Sequence, residues 1–126
     1  MIAQPNLAGI KVLIVEDEPL ISLFIEDTLA DIGCRIAAVA ANLADATTKV
    51  QRVEWDVVLL DVNLHGIQSF SLAETLSEEK RPFVFSTGYG IAGIPAHLQH
   101  IPVLQKPFQE KELIEKLFLA LSGTKS

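Results

Sequence analysis

Five polar residues of this 126-residue chain each stand at the end of a short apolar run, where a side chain could do chemistry. They are three carboxylic acids, a hydroxyl and an ammonium: Glu16, Asp17, Asp61, Thr87 and Lys106. In an open parallel sheet, functional groups gather beyond the carboxyl ends of the strands. If the apolar runs are such strands, the five side chains meet at one edge of the molecule.

Three carboxylates placed that close together would repel one another and raise the pKa of at least one of them. A divalent cation removes this conflict, and Mg²⁺ prefers oxygen ligands, with water and phosphate oxygens completing an octahedron. Asp17 and Asp61 can bind Mg²⁺ or Mn²⁺ directly, and Glu16 can bind through a water. A backbone carbonyl just after Asp61 can complete the protein's share of the ligands.

The same groups suit the transfer of a phosphoryl group to a carboxylate. One carboxylate can act as the nucleophile toward phosphorus, and Asp61 is the candidate. The metal and Lys106 can offset the charge on the phosphoryl oxygens, and the Thr87 hydroxyl can donate a hydrogen bond to one of them. The residue types therefore predict acyl-phosphate chemistry. Taken alone, each acid could also be an ordinary strand-end or helix-terminal residue.

The apolar runs alternate with helical patterns along the whole chain. The run from Val57 to Leu60 is continuously apolar, which is typical of a parallel strand that is buried on both faces. Alternation of this kind predicts βαβ units, a parallel sheet and right-handed crossovers. Strands are predicted at 10–15, 35–40, 56–60, 83–87 and 102–104, and helices at 19–32, 42–52, 68–79 and 110–121.

Two predicted helical regions have unusual features. The first helix begins at Pro19 and ends before Gly33, and its apolar face has extra width. Segment 88–95, where a fourth helix should start, contains three glycines and a proline, which are poor helix formers. A long loop is expected there, followed by at most a short helix near 96–99. The wide face of the first helix comprises Leu20, Ile21, Leu23, Phe24, Ile25, Thr28, Leu29 and Ile32.

The composition argues against several classes of protein. The formal net charge of −6 disfavours a large nucleic-acid surface, which needs clustered Lys and Arg. No apolar run approaches the roughly 20 residues that span a bilayer, and the first residues do not resemble a signal peptide. The only cysteine is Cys34, so an intramolecular disulfide is impossible and a cytoplasmic location is expected.

The order and spacing of four motifs resemble those of bacterial two-component response-regulator receiver domains, over roughly residues 10–121. In the sequence, Asp61 stands 44 positions after Asp17, Thr87 stands 26 after Asp61, and Lys106 stands 19 after Thr87. Together the motifs are specific, although each alone would be weak. They are Val15-Glu16-Asp17-Glu18, Leu60-Asp61-Val62-Asn63-Leu64, Ser86-Thr87-Gly88 and Lys106-Pro107-Phe108.

The resemblance implies an α/β, flavodoxin-like fold with a five-stranded parallel sheet of order 2-1-3-4-5 and helices on both faces. It implies phosphorylation of Asp61 by a sensor histidine kinase or a phosphotransfer protein. The implied metal ligands are Asp17, Asp61 and the backbone carbonyl of Asn63, with Glu16 one shell further out. The peptide bond before Pro107 is usually cis in this family. The receiver domain is expected at 9–121, with mobile tails at 1–8 and 122–126.

Segment 85–90, Phe-Ser-Thr-Gly-Tyr-Gly, resembles the alphaproteobacterial subgroup nicknamed FAT GUY, whose members are often served by HWE-type kinases. The aromatic switch residue that many receivers carry on strand five is replaced here by Val103. Tyr89 and Gly88 are therefore the switch candidates, and the glycine-rich loop is expected to move when Asp61 is phosphorylated. A leucine-histidine-glycine stretch at 64–66 replaces the proline found in many receivers.

The predicted function is a phosphorylation-dependent switch that is not an enzyme and signals through contacts with an unidentified downstream protein. A homodimer through strands four and five and the last helix is a further expectation. Three alternatives remain: a phosphate sink, a receiver-like module that is never phosphorylated, and a domain cut from a larger regulator or hybrid kinase. A phosphatase or dehalogenase-like hydrolase is disfavoured, because Asn63 stands where such enzymes need a second acid.

Overall fold

The computed structural model describes residues 6–123, which form five parallel strands and four α-helices in strict alternation until the loop after β4. The polar ends of β1, β3, β4 and β5 meet at one edge of this sheet. The elements are β1 (Lys11–Val15), α1 (Pro19–Asp31), β2 (Arg35–Ala40), α2 (Leu43–Arg52), β3 (Val57–Asp61), α3 (Phe70–Glu78), β4 (Phe83–Thr87), β5 (Val103–Gln105) and α4 (Glu110–Gly123).

The strand order is β2-β1-β3-β4-β5, as the resemblance implies. Alternate residues of each strand pack against opposite faces of the sheet, because successive side chains point to opposite sides. On one face Leu60 and Phe85 pack with α2 and α3, and on the other Leu59 and Val84 pack with α1 and α4. The sheet is therefore covered by helices on both faces, and its polar strand ends are left as the open edge.

Helix α3 begins later than the sequence predicts. The predicted start at Gln68 is wrong by two residues, because Ile67–Gln68 pairs antiparallel with Asn63–Leu64 in a short hairpin. The hairpin turns through His65, with φ 52°, and Gly66, with φ 82°. Positive φ at two successive residues suits a tight hairpin turn, and only the second of them is a glycine.

The region after β4 has no regular α-helix, as its glycines predict. It consists of two short 3₁₀ turns at Gly90–Gly93 and Ala96–Leu98. The first turn contains no buried residue, whereas Leu98 in the second is only 1% exposed. The first half of the predicted loop is therefore loosely held, and the second half is anchored in the core.

The wide apolar face predicted for α1 is only partly buried. Ile25 and Leu29 lie in the core, but Leu20, Leu23 and Phe24 are 82%, 53% and 50% exposed. A helix that packs on one side of a sheet can bury only one stripe of its surface. The remaining apolar residues of α1 lie on the molecular surface beside the carboxyl edge of the sheet.

Buried and helical residues are also found just outside segment 9–121. Leu7 is buried against the face that carries α1 and α4, and its carbonyl accepts a weak hydrogen bond from the Cys34 thiol at 3.5 Å. Helix α4 continues to Gly123. The outer parts of the two predicted mobile tails, 1–5 and 124–126, lie outside the described residues. Within residues 6–123, no helix has the length and apolar character needed to cross a bilayer.

Candidate functional site

The carboxyl ends of three strands place Glu16, Asp61 and Lys106 on the same face of the sheet. Glu16 continues the ladder of β1 by donating its backbone N–H to the carbonyl of Ala40 at 3.0 Å. Lys106 continues β5 through its backbone N–H, which donates to the carbonyl of Thr87 at 2.8 Å. Strand alternation puts these side chains and that of Asp61 on the α1 and α4 face.

The ammonium of Lys106 joins two carboxylates that come from different strands. Its Nζ lies 2.8 Å from Oε1 of Glu16 and 3.0 Å from Oδ2 of Asp61. The two carboxylate side chains are only 1% and 7% exposed, and that of Lys106 is 18% exposed. Charge-assisted hydrogen bonds of this kind are strong where water is largely excluded. The sequence prediction that these three residues converge is matched by this geometry.

Burial and like charge control the ionisation of Glu16. Burial of the carboxyl, with the neighbouring charge of Asp61, raises the pKa of Glu16 to about 7, although the hydrogen bond from Lys106 acts in the opposite direction. Burial disfavours the charged form of Lys106, but its bonds to Glu16 and Asp61 outweigh burial and raise the pKa of the ammonium. The site therefore holds more negative charge than one ammonium neutralises.

Asp17 has a separate partner in the hairpin that follows β3. The backbone N–H of His65 donates to Oδ2 of Asp17 at 2.8 Å, and the His65 ring nitrogen Nδ1 lies 3.5 Å from the same oxygen. Burial favours the neutral carboxyl, but this backbone hydrogen bond and the other hydrogen bonds to the carboxylate together outweigh burial and lower the pKa of Asp17. The sequence interpretation of His65 as a solvated loop residue missed this contact, and the only local signal was its position before Gly66.

The oxygens available to a cation come from consecutive residues after β1. One carboxylate oxygen each from Glu16, Asp17 and Glu18 lies within 4.8 Å of the other two. Asp61 adjoins this cluster, since it shares the Lys106 ammonium with Glu16. A set of hard oxygen donors with excess negative charge fits Mg²⁺. Glu18, which the sequence suggested to be only a first-turn acid, lies within the cluster.

The backbone after β3 is held close to Asp61. The N–H of Asn63 donates to Oδ1 of Asp61 at 3.2 Å, and the Ser69 hydroxyl donates to the carbonyl of Asp61 at 2.7 Å. Ser69 is fully buried. These bonds fix the turn that follows Asp61 and contains Asn63.

Thr87 lies at the same edge, but its hydroxyl does not bond to Asp61 within the described part of the chain. Its Oγ1 accepts the backbone N–H of Tyr89 at 3.1 Å. Tyr89 itself is 80% exposed. The peptide bond between Lys106 and Pro107 is cis, as the resemblance implies. The structure thus brings Lys106 to Asp61, whereas the Thr87 hydroxyl is bonded to the backbone of its own loop.

Comparison with known proteins gives a consistent assignment. Residues 12–118 match the response regulator receiver domain. The transcriptional regulatory protein BtsR of Salmonella typhi is 34% identical over 111 residues, which cover 86% of this chain and 46% of BtsR. The chain spans about half the length of the curated relatives it matches.

Solved structures of similar size agree with this assignment. SdrG from Sphingomonas melonis Fr1 has a TM-score of 0.74 and 34% identity, covering 94% of this chain and 98% of SdrG. The receiver domain of the PhyR response regulator from Erythrobacter litoralis has a TM-score of 0.79 and 30% identity, covering 97% of both chains.

The receiver domain of the sensor histidine kinase PA1611 from Pseudomonas aeruginosa PAO1, solved with magnesium coordinated in its active-site cleft, has a TM-score of 0.78 and 24% identity. It covers 91% of this chain and 99% of the PA1611 chain, and at this identity it supports the fold alone. The likeness to SdrG and to the PhyR domain fits the FAT GUY-like subgroup. The chain belongs to the response regulator receiver domain family of two-component signalling.

Proposed function

We propose that the chain is a phosphorylation-dependent signalling switch in which Asp61 accepts a phosphoryl group. The observation that carries this proposal is the ammonium of Lys106, held 3.0 Å from Oδ2 of Asp61 beside a cluster of further acids. A carboxylate oxygen next to a fixed cation is suited to attack phosphorus, because the negative charge of the phosphoryl oxygens then meets positive charge. Asp61 keeps its other oxygen occupied by the Asn63 N–H, which orients the carboxylate.

The acidic cluster would hold the metal that this reaction needs. Asp17, Asp61 and the backbone carbonyl of Asn63 are the proposed direct ligands, with Glu16 acting through a water. When bound, Mg²⁺ or Mn²⁺ supplies positive charge to the phosphoryl oxygens and cancels the repulsion among the acids. Lys106 adds the second positive charge, and the Thr87 hydroxyl is the proposed donor to a phosphoryl oxygen. The Thr87 hydroxyl can donate to a phosphoryl oxygen while it still accepts the N–H of Tyr89, so a movement of Thr87 toward the site would carry Tyr89 with it.

An apolar groove beside the site supports a protein as phosphoryl donor. Leu20 and Phe24 of α1 line it with Phe108, and the rings of Phe24 and Phe108 have centroids 5.8 Å apart. Lys106 lines the same groove, so a protein docked on the apolar residues would reach the edge where Asp61 lies. A histidine kinase or phosphotransfer protein is the proposed donor, and the subgroup resemblance favours an HWE-type kinase.

The first test is metal-dependent labelling by a small phosphoryl donor. Incubation with acetyl phosphate and Mg²⁺ is expected to add the mass of one phosphoryl group to the intact protein. Removal of the metal with a chelator is expected to slow labelling at least about a hundredfold, because the acids then repel the incoming anion. Intact-mass spectrometry over time measures both rates. Equal labelling with and without chelator would contradict a metal-dependent acceptor site.

The output would be a protein contact near the loop that follows β4. Tyr89 and Ile91 are 80% and 53% exposed. Tyr89 directly precedes the loosely held first 3₁₀ turn, and Ile91 lies within it. The second turn is anchored by buried Ile94 and Leu98, and by the His97 ring, whose Nε2 lies 2.8 Å from a Glu74 oxygen. The proposed moving part is therefore segment 88–93. A downstream protein or a second copy of the chain would bind beside it.

This division of the loop can be tested with beryllofluoride, which has been used to activate SdrG. With Mg²⁺ and beryllofluoride, backbone amide shifts are expected to change strongly in 88–93 and little in 94–98. Thr87→Ala is expected to suppress the change at Tyr89, because the loop then lacks the hydroxyl that links it to the site. Thr87→Ser is the matched control and should keep the change. Equal shifts across 88–98 would contradict the division.

Two variants of this function share the same chemistry and differ in output. A phosphate sink would accept the phosphoryl group without changing affinity for any protein. A receiver that belongs to a larger regulator would act on an attached domain, and the half-length match to BtsR is compatible with this. Pull-down with and without beryllofluoride separates the switch from the sink, since only the switch gains a partner on activation.

A further inference from the structure

Ser86 is a buried hydroxyl that no neighbour satisfies. The residue is 1% exposed, and its Oγ has no hydrogen-bond partner among residues 6–123. Buried polar groups are usually hydrogen-bonded, and leaving one unpaired destabilises the folded protein. Serine at this buried strand position therefore lowers the stability of the metal-free protein, and alanine would not.

The position of Ser86 in the sheet puts it next to the phosphorylation site. Ser86 and Asp61 are register partners on the adjacent strands β4 and β3. Two residues before each of them, Val84 and Leu59 pack on the α1 and α4 face. Because side chains alternate along a strand, Ser86 and Asp61 lie on that same face. Neighbouring strands are about 4.8 Å apart, so the two side chains are adjacent.

The path of Lys106 leads across Ser86. Lys106 follows β5 at one end of the strand order, whereas its two partners lie on β3 and β1. Its side chain must therefore cross the end of β4, and it does so on the face where Ser86 lies. The ammonium has three donors. Glu16 and Asp61 take two of them, which leaves one for an additional acceptor.

We propose that the Ser86 hydroxyl is a positioning group for Lys106. It accepts a hydrogen bond from the ammonium when the bond between the ammonium and Glu16 is broken. The inference rests on the proposed function, in which a cation held by the acids competes with Lys106 for Glu16. Repulsion between the two cations drives the ammonium back toward β4, where the free oxygen of Ser86 lies.

The test compares Ser86→Ala with the unaltered chain in two separate measurements. Without metal, Ser86→Ala is expected to unfold at the same or a higher temperature, because it removes an unpaired buried hydroxyl. At a Mg²⁺ concentration that saturates the unaltered chain, Ser86→Ala is expected to gain less thermal stability than the unaltered chain does. Its labelling by acetyl phosphate should also be about tenfold slower. The reason for both effects is that the displaced ammonium has lost an acceptor. Ser86→Thr keeps a hydroxyl and should label within about twofold of the unaltered chain.

Several results would overturn the inference. One is that Ser86→Ala equals the unaltered chain in both magnesium-induced stabilisation and labelling. Another is that Ser86→Ala is less stable than the unaltered chain without metal, which would mean that the hydroxyl is already hydrogen-bonded. Labelling of Ser86→Thr as slow as that of Ser86→Ala would exclude the hydroxyl as the needed group. If the unaltered chain itself takes no phosphoryl group, the proposed function fails. In that case the effect of Mg²⁺ on the thermal stability of Ser86→Ala still tests whether the Ser86 hydroxyl positions Lys106.

Discussion

Asp61→Asn is expected to reduce labelling by acetyl phosphate at least about a thousandfold, so that no phosphoryl mass is detected in hours. An amide cannot form the acyl phosphate, although it keeps the size of the side chain. The loss cannot be ascribed to unfolding, because the charge of Asp61 opposes ionisation of the buried Glu16. Removing that charge relieves repulsion and is expected to leave the metal-free protein as stable as before, despite one lost bond to Lys106.

The matched control for this variant is Asp56→Asn, the same substitution near the other end of β3. Asp56 is exposed, and its carboxylate accepts the backbone N–H of Lys11 at 2.8 Å, which an asparagine oxygen can also do. Labelling of this control should equal that of the unaltered chain. Persistent labelling of Asp61→Asn would show that another acid accepts the phosphoryl group, and peptide mapping would then identify it.

Lys106→Met is expected to destabilise the metal-free protein by about 3 kcal/mol at pH 8. The variant keeps an apolar stem of similar length but leaves two buried carboxylates without their shared cation, and removal of one partner from a buried ion pair is costly. Mg²⁺ is expected to restore part of the loss, because a cation at the acidic cluster replaces the missing charge. Urea unfolding with chelator and with Mg²⁺ measures both effects.

The destabilisation should depend on pH in a defined direction. The pKa of Glu16 rises from its ordinary value of 4.5 to about 7 in the folded protein. The folded state therefore binds more protons than the unfolded state between these values, and its stability falls as the pH rises through this window. Lys106 lowers the pKa of Glu16, so its removal raises that pKa further and extends the fall in stability to higher pH. The loss caused by Lys106→Met should be smaller at pH 5, where Glu16 is protonated.

The control for Lys106→Met is Lys111→Met on the exposed surface of α4. It removes the same charge from the chain away from buried carboxylates and should change stability by less than about 0.5 kcal/mol. A loss for Lys106→Met that is equal at pH 5 and pH 8 would point to packing of the lysine stem rather than to its charge. No loss at either pH would contradict the role of the ammonium as the partner of Glu16 and Asp61.

The sequence by itself predicted which polar residues meet at the carboxyl edge of the sheet, whereas the strand order came from the family resemblance. Strands buried on both faces are continuously apolar, so the polar residue that follows each run marks a carboxyl edge. That rule was enough to assemble Glu16, Asp61 and Lys106, and the glycines of 88–93 were enough to predict the absence of a regular helix. These features are local, and each can be read from neighbouring residue types.

Only the tertiary structure decided features that depend on what lies across from a residue. Leu20 and Phe24 match the apolar pattern of α1, yet the width of the helix face that the sheet can cover leaves them on the surface. The His65 N–H reaches Asp17 because a hairpin turns back toward β1. In the sequence, Ser86 is an ordinary small residue near the end of an apolar run. Only the structure shows that its hydroxyl lacks a hydrogen-bond partner and lies on the face where Lys106 crosses β4. Hydrogen bonding depends on which residues are neighbours in space, and the sequence does not give that.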